Sequence, residues 1–204
     1  MIRQRGVRLA IAFVVVLLAA CAAPRTRPLQ QPNEQLLAGQ TAREQKLAAD
    51  SNWGLSGRLG VSDGHDGGSG SLEWTQHGAQ FRFSVHAPVT GKTWTLSGRP
   101  QHAVLEGLRD QPVDGDDAAA LLEHELGWRV PVAELAYWVR GMRAALDARI
   151  AFGADGLPAT IVEAGWTVQY QDYDTTRQPP LPGKVFASKG EYKVRLAIRD
   201  WAHP

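Results

Sequence analysis

From Trp53 to the end of the chain, apolar and polar side chains alternate with a period of two over most of the length. Leu55, Gly57, Leu59 and Val61 alternate with Ser56, Arg58 and Gly60, and Leu72 and Trp74 with Glu73 and Thr75. Phe81, Phe83 and Val85 alternate with Arg82 and Ser84; Trp94 and Leu96 sit among Thr93, Thr95 and Ser97, and Val104 marks another short run. After an interruption the pattern resumes at Leu146, Ala148, Ile150 and Phe152, then at Thr160-Ile161-Val162, at Trp166, Val168 and Tyr170, and at Val185-Phe186. It is cleanest at the end, in Tyr192, Val194, Leu196 and Ile198. About ten strands, each apolar on one face only, predict one strongly curved antiparallel sheet or a barrel. The run from Ser62 to Gly70 reads as a flexible hairpin connection, and Asp155-Gly156 as a tight turn.

The interruption has a helical character. Asp114 or Asp116 can cap a helix over residues 117–126 that Gly127 stops, and Pro131 opens a second one carrying Leu135, Tyr137, Trp138 and Val139, closed by Gly141. Residues 34–50 admit a third, with Leu36, Leu37 and Leu47 as its few apolar contacts. Two or three short helices are too few to fill a barrel interior. That mismatch points to a cavity, although a well-packed core would leave the same pattern.

The N-terminus is an address. Arg3, Arg5 and Arg8 precede an unbroken apolar run from Leu9 to Ala20. The run is shorter than the roughly 20 residues that span a bilayer, and it matches a secretory signal peptide. It ends in Leu18-Ala19-Ala20-Cys21, which resembles the lipobox of bacterial lipoproteins. There the cysteine thiol takes diacylglycerol, the peptide is cut before it, and the new amine is acylated. Ala22, rather than Asp, follows, and by the same resemblance directs the product to the outer membrane. Residues 1–20 are therefore expected to be removed and residues 21–50 to form a lipidated tether, Pro-rich at Pro24, Pro28 and Pro32, with the possible short helix. Residues 51–204 form the folded domain.

Composition narrows the chemistry. The 204-residue chain has 22 basic and 21 acidic side chains and one cysteine. Loss of the signal peptide removes three arginines and no acid, leaving a formal charge of −2, which offers no field for gripping nucleic acid. The lone cysteine gives neither a disulfide framework nor a Cys-rich metal site. Around Ser69 no nucleophile elbow forms, because Ser71 stands where the second glycine is needed. His124-Glu125 is followed by Trp128 where a zinc protease has its second histidine. Asp114 to Asp117 reads as a cap more than a calcium loop, and Glu73 and Glu163 read as solvated strand residues. The pattern calls for no metal, no cofactor and no catalytic group.

Several short motifs, in order, resemble the LolB family of lipoprotein receptors. They are Trp53-Gly54-Leu55-Ser56-Gly57-Arg58, Leu72-Glu73-Trp74, Ala87-Pro88-Val89-Thr90-Gly91, Leu126 to Val132, Leu135 to Gly141, Gly165-Trp166-Thr167-Val168, Tyr173-Asp174 with Leu181-Pro182, and Asp200-Trp201. The resemblance implies an open, eleven-stranded antiparallel half-barrel whose apolar inner face is lidded by helices, anchored at Cys21 in the outer membrane and facing the periplasm. It implies a non-enzymatic monomer that accepts lipoproteins from the periplasmic carrier LolA and inserts their acyl chains into outer-membrane lipid. The expected acyl-cavity lining is Leu59, Trp74, Phe81, Phe83, Trp94, Leu96, Ile150, Trp166, Val194 and Leu196 from the strands, with Leu135 and Trp138 from the lid. A loop that projects an apolar residue for membrane insertion corresponds to Pro88, Val89 and Gly91, with Val89 where the family has leucine. A structural or assembly-accessory lipoprotein with a packed β core, and a lipocalin-like carrier, are the rival readings.

Overall fold

The computed structural model describes residues 29–88 and 91–202. Strands β1 (Asn52–Ser62), β2 (Gly67–His77), β3 (Gln80–Ala87), β4 (Lys92–Arg99), β5 (His102–Glu106) and β6 (Val113–Gly115) follow helix α1 (Glu34–Ala49). Helices α2 (Ala118–Leu126) and α3 (Val132–Trp138) come next. Strands β7 (Arg149–Phe152), β8 (Pro158–Glu163), β9 (Trp166–Gln171), β10 (Lys184–Lys189) and β11 (Tyr192–Ala202) complete the chain. All eleven strands lie in one sheet of order β6-β5-β4-β3-β2-β1-β11-β10-β9-β8-β7. The first and last strands therefore pair at its centre, and its two edges come from the middle of the sequence. β6 and β7 do not pair, so the sheet is a half-barrel and not a closed one. Gln30 covers part of the β7 edge, exchanging two backbone hydrogen bonds with Phe152 (2.7 and 3.1 Å).

Because every neighbouring pair is antiparallel, the connections fall at two ends. One end carries the β1–β2, β3–β4, β5–β6, β8–β9 and β10–β11 connections and the start of β7. The other carries β2–β3, β4–β5, β7–β8 and β9–β10. Gly57 shows how tightly the centre is drawn. At the β1–β11 bulge, a Cβ there would lie 2.2 Å from the Ala197 carbonyl oxygen, so no larger residue fits.

The glycine-rich run differs from the sequence expectation. Gly67 to Gly70 belong to β2, and the connection is only residues 63–66, where Asp63 accepts from the backbone N–H groups of His65 (2.9 Å) and Asp66 (2.6 Å). The reason is space: a Cβ on Gly68 would meet the Trp128 indole at 2.6 Å, so this strand leaves room for an aromatic ring. Two other boundaries move. The cap of α2 is Asp117, neither Asp114 nor Asp116; its carboxylate accepts from Ala120 N–H at 2.7 Å, and Gly127 closes the helix at φ +71°. The strand expected to start at Leu146 begins at Arg149, and Leu146 stands in a turn in front of it.

A roofed apolar face with two cavities

The alternation places one residue of every pair on the concave face, and the register aligns them across strands. Leu55, Trp74, Phe83, Leu96 and Leu105 form one transverse row; Gly57, Leu72, Val85 and Trp94 form the next. All eight side chains in these rows are buried. The aromatic members touch in a chain: Trp201 to Trp53 (6.0 Å between centroids), Trp53 to Trp74 (5.3 Å), Trp74 to Phe83 (5.3 Å), Phe83 to Trp94 (5.8 Å) and Trp94 to Trp128 (5.7 Å). Tilted, edge-on and, for Phe83 and Trp94, stacked rings at these spacings pack favourably without a hydrogen-bond partner. The surface they make is broad, apolar and chemically unselective.

α2 and α3 form the roof over this face. Leu121, Leu122, Val132, Leu135 and Trp138 point down into the same cluster as the strand residues. The roof does not cover everything. A cavity of about 710 Å³ opens at the β2–β3 end, bordered by Trp74, Phe81, Pro100 and Tyr137. Another of about 490 Å³ opens at the β1–β2 end beside Trp166, Lys189, Tyr192 and Arg129. Both reach Asp117, Ala119 and Pro131, so the start of α2 and the loop before α3 are the wall between them.

The C-terminal joint of the roof is held by polar groups. From α1, the Arg43 guanidinium donates to the carbonyls of Gly141 (2.8 Å), Arg140 (2.7 Å) and Pro180 (2.7 Å), and Gln40 donates to Gly141 (3.0 Å). Arg140 reaches back, donating to the carbonyls of Leu47 and Asp50 and stacking over the Trp53 ring at 5.4 Å. Burial pulls the Arg140 pKa down to about 10, opposed by nearby Asp50, so it stays charged at neutral pH. On the other side, Glu163 of β8 is only 8% exposed and accepts from Trp138 Nε1 (3.2 Å) and Ala144 N–H (3.0 Å). Glu163 is therefore a buried acceptor and not the solvated strand residue that its sequence context predicts. Arg143 pairs with Glu44 through both carboxylate oxygens, the closest contact 2.7 Å. Burial opposes the Glu44 charge, yet hydrogen bonds from Arg143 and Gln40 outweigh it and hold its pKa below the ordinary value.

The twelve cavity candidates lie together on the inner face or the roof's underside. Trp74 and Phe81 border the larger cavity and Trp166 the smaller. Leu59, Phe83, Trp94, Leu96, Ile150, Val194 and Leu196 are buried on the inner face, and Leu135 and Trp138 on the underside of α3. Pro88 and Gly91 are exposed and frame the β3–β4 turn, where Gly91 takes φ +66° and donates to the Ala87 carbonyl at 2.9 Å. Val89 and Cys21 lie outside the described residues. Arg43, Arg140 and Trp128 have no place in the expected site, although the Leu126–Val132 and Leu135–Gly141 motifs contain the last two.

Comparison with known proteins names the architecture. The profile of the family Outer membrane lipoprotein LolB matches residues 51–201. A protein called Outer-membrane lipoprotein LolB from Xanthomonas oryzae pv. oryzae is 36% identical over 201 residues, 93% of each chain. One of the same name from Xylella fastidiosa is 32% identical over 204 residues, 97% of this chain and 94% of its own. Among solved structures, a LolA superfamily protein from Nitrosomonas europaea superposes with a TM-score of 0.53 at 10% identity, covering 81% of this chain and 93% of that one, which is a likeness of fold. With the profile matched over most of its length and relatives spanning nearly all of it, this chain belongs to the LolB family of outer membrane lipoproteins.

Proposed function

We propose that this protein accepts lipoproteins from the periplasmic carrier LolA and passes their acyl chains into the outer membrane, without catalysis and as a monomer. The observation that carries this reading is the open apolar face, roofed by two short helices and flanked by two cavities that share Asp117 and Pro131 as a wall. Cavities of about 710 and 490 Å³ lie within the range of ligand sites, ~300–1,000 Å³. Acyl chains need volume and apolar contact but no fixed hydrogen bonds, so one such face serves many cargoes. Extra room comes from lifting the α2 side chains off the strand residues beneath them. The twelve inward residues then line the widened cavity. Cys21 carries the anchor that ties residues 51–204 to the membrane through the segment before them.

Transfer without a nucleotide runs down an affinity gradient. A tenfold tighter hold than the carrier's requires only ~1.4 kcal/mol. In this reading Val89, between Pro88 and Gly91 in the sequence, touches the bilayer during delivery.

Titration with a triacylated lipopeptide and its unlipidated twin, followed by tryptophan fluorescence, tests the reading. Lipidated peptide should shift the emission of the buried tryptophans, and the twin should not. An equal response to both, or none to either, leaves a packed-core lipoprotein instead. Palmitate labelling should disappear in Cys21→Ser; undiminished label would remove the anchor from the account.

A further inference from the structure

We propose that the turn carrying Leu146 is a contact with the bilayer surface, placed so that the β1–β2 end of the half-barrel faces the membrane. This deepens the delivery function proposed above and rests on it. Leu146 is 88% exposed, far more than any other large hydrophobic residue among those described. Its exposure does not come from a loose loop. Ala148 N–H donates to the Ala145 carbonyl at 3.2 Å, so Leu146 and Asp147 are the two central residues of a closed turn. The preceding residues are braced by the Arg143–Glu44 pair, whose side chains are about one-tenth exposed, and by Ala144 N–H on Glu163. The leucine is thus held outward at little further entropic cost. Nothing in a solvated loop requires an apolar residue there, since a turn of this kind accepts polar ones.

Topology supplies the second observation. The turn precedes β7 at the same end of the sheet as the β3–β4 turn framed by Pro88 and Gly91. The smaller cavity opens at this end too, beside Lys189 and Trp166. β3 and β4 lie towards one edge of the half-barrel, and β7 is the opposite edge. Contacts at both would straddle the sheet's curvature and set its tilt, with the smaller cavity facing lipid between them. The larger cavity then opens away from the membrane, towards incoming cargo. Leucine suits a partner that is apolar and without fixed shape, which is a lipid surface.

The mature lipidated protein is suited to the test, because its native thiol carries the anchor and an introduced cysteine is the single free one. Leu146→Cys and, at the opposite end, His102→Cys are each labelled with an environment-sensitive fluorophore. Each is reconstituted in phosphatidylethanolamine–phosphatidylglycerol vesicles containing a lipid-borne quencher. The label at 146 should shift to the blue and lose intensity to the quencher, and the label at 102 should do neither. In parallel, Leu146→Asp should accept lipopeptide as the wild type does but deliver it on the order of tenfold more slowly, the factor that ~1.4 kcal/mol produces. An unquenched label at 146, quenching at both positions, or wild-type delivery by Leu146→Asp would each overturn the proposal. A quenched label at 146 alone, on a protein that takes up no lipidated cargo, would keep the contact and overturn the function proposed above.

Discussion

Residues 139–148 and residues 117–131 both belong to the roof of the half-barrel, yet they are held by different kinds of force. The first segment is fixed by Arg43, Arg140, Glu163 and the Arg143–Glu44 pair, all buried or nearly so and hydrogen-bonded to backbone. Such groups lose heavily when one partner leaves, because the other remains desolvated. The second segment has its Asp117 cap, two buried leucines in α2 and ion pairs to exposed arginines, Arg129 with Glu123 and Arg109 with Glu125. Apolar contacts are non-directional, and acyl chains could replace them with little loss. In the function proposed above, the difference assigns roles: the polar joint serves as the pivot, and α2 as the part that lifts.

The largest expected effect is at the pivot. Arg43→Ala leaves the carbonyls of Arg140 and Pro180 without this donor and weakens the hold on Gly141, and should cost about 3 kcal/mol or more in urea denaturation, given ~1–3 kcal/mol per orphaned buried group. A loss below 1 kcal/mol would show that the joint is not a pivot. Glu163→Ala strands the Trp138 and Ala144 donors and should cost about 2 kcal/mol, whereas Glu163→Gln, which keeps an acceptor oxygen, should cost about half of that.

At the other end of the roof the sign of the functional effect reverses. Asp117→Ala removes the α2 cap and should destabilise by about 1 kcal/mol. The cap is internal to α2, so its energy comes off the closed roof only where lifting frays the first turn; with that turn lost in the lifted state, lipopeptide affinity should rise by roughly fivefold in a fluorescence titration. Weaker binding by this variant would mean that acyl chains enter without lifting α2. The smallest effect is pH-dependent. Glu44 has a depressed pKa in the folded protein, so its stabilisation is present above the ordinary carboxylate range and fades as pH falls through the folded value. Urea midpoints for the wild type and Glu44→Gln should differ at neutral pH and converge on acidification. A gap that persists into acid would assign the effect to packing and not to charge.

Which parts of this were legible in the sequence follows from the same contrast. The inner face could be read because apolar burial leaves a period of two, and all ten strand candidates sit on that face. The pivot could not. The buried stripe of α1 is Gln40, Arg43 and Leu47, and a stripe that is two-thirds polar looks like a solvated helix. Its meaning depends on carbonyls about a hundred residues away. Glu163 misleads for a related reason: it continues the inward alternation of β8, but a carboxylate at such a position looks outward-facing until the Trp138 indole is placed beside it. Leu146 fits the alternation leading into Ile150 by coincidence of spacing, and only the turn at Ala145–Ala148 separates it from β7. The glycines of β2 look like a flexible loop because the ring that fills their space is contributed by Trp128, sixty residues on.

The proposed lifting of α2 about a fixed joint on acyl binding is read by backbone hydrogen exchange with and without bound lipopeptide. Amides in residues 118–131 should exchange faster in the complex, while those in residues 139–148 and in α1 keep their protection. Protection that rises in 118–131, or that falls equally across both segments, would contradict it.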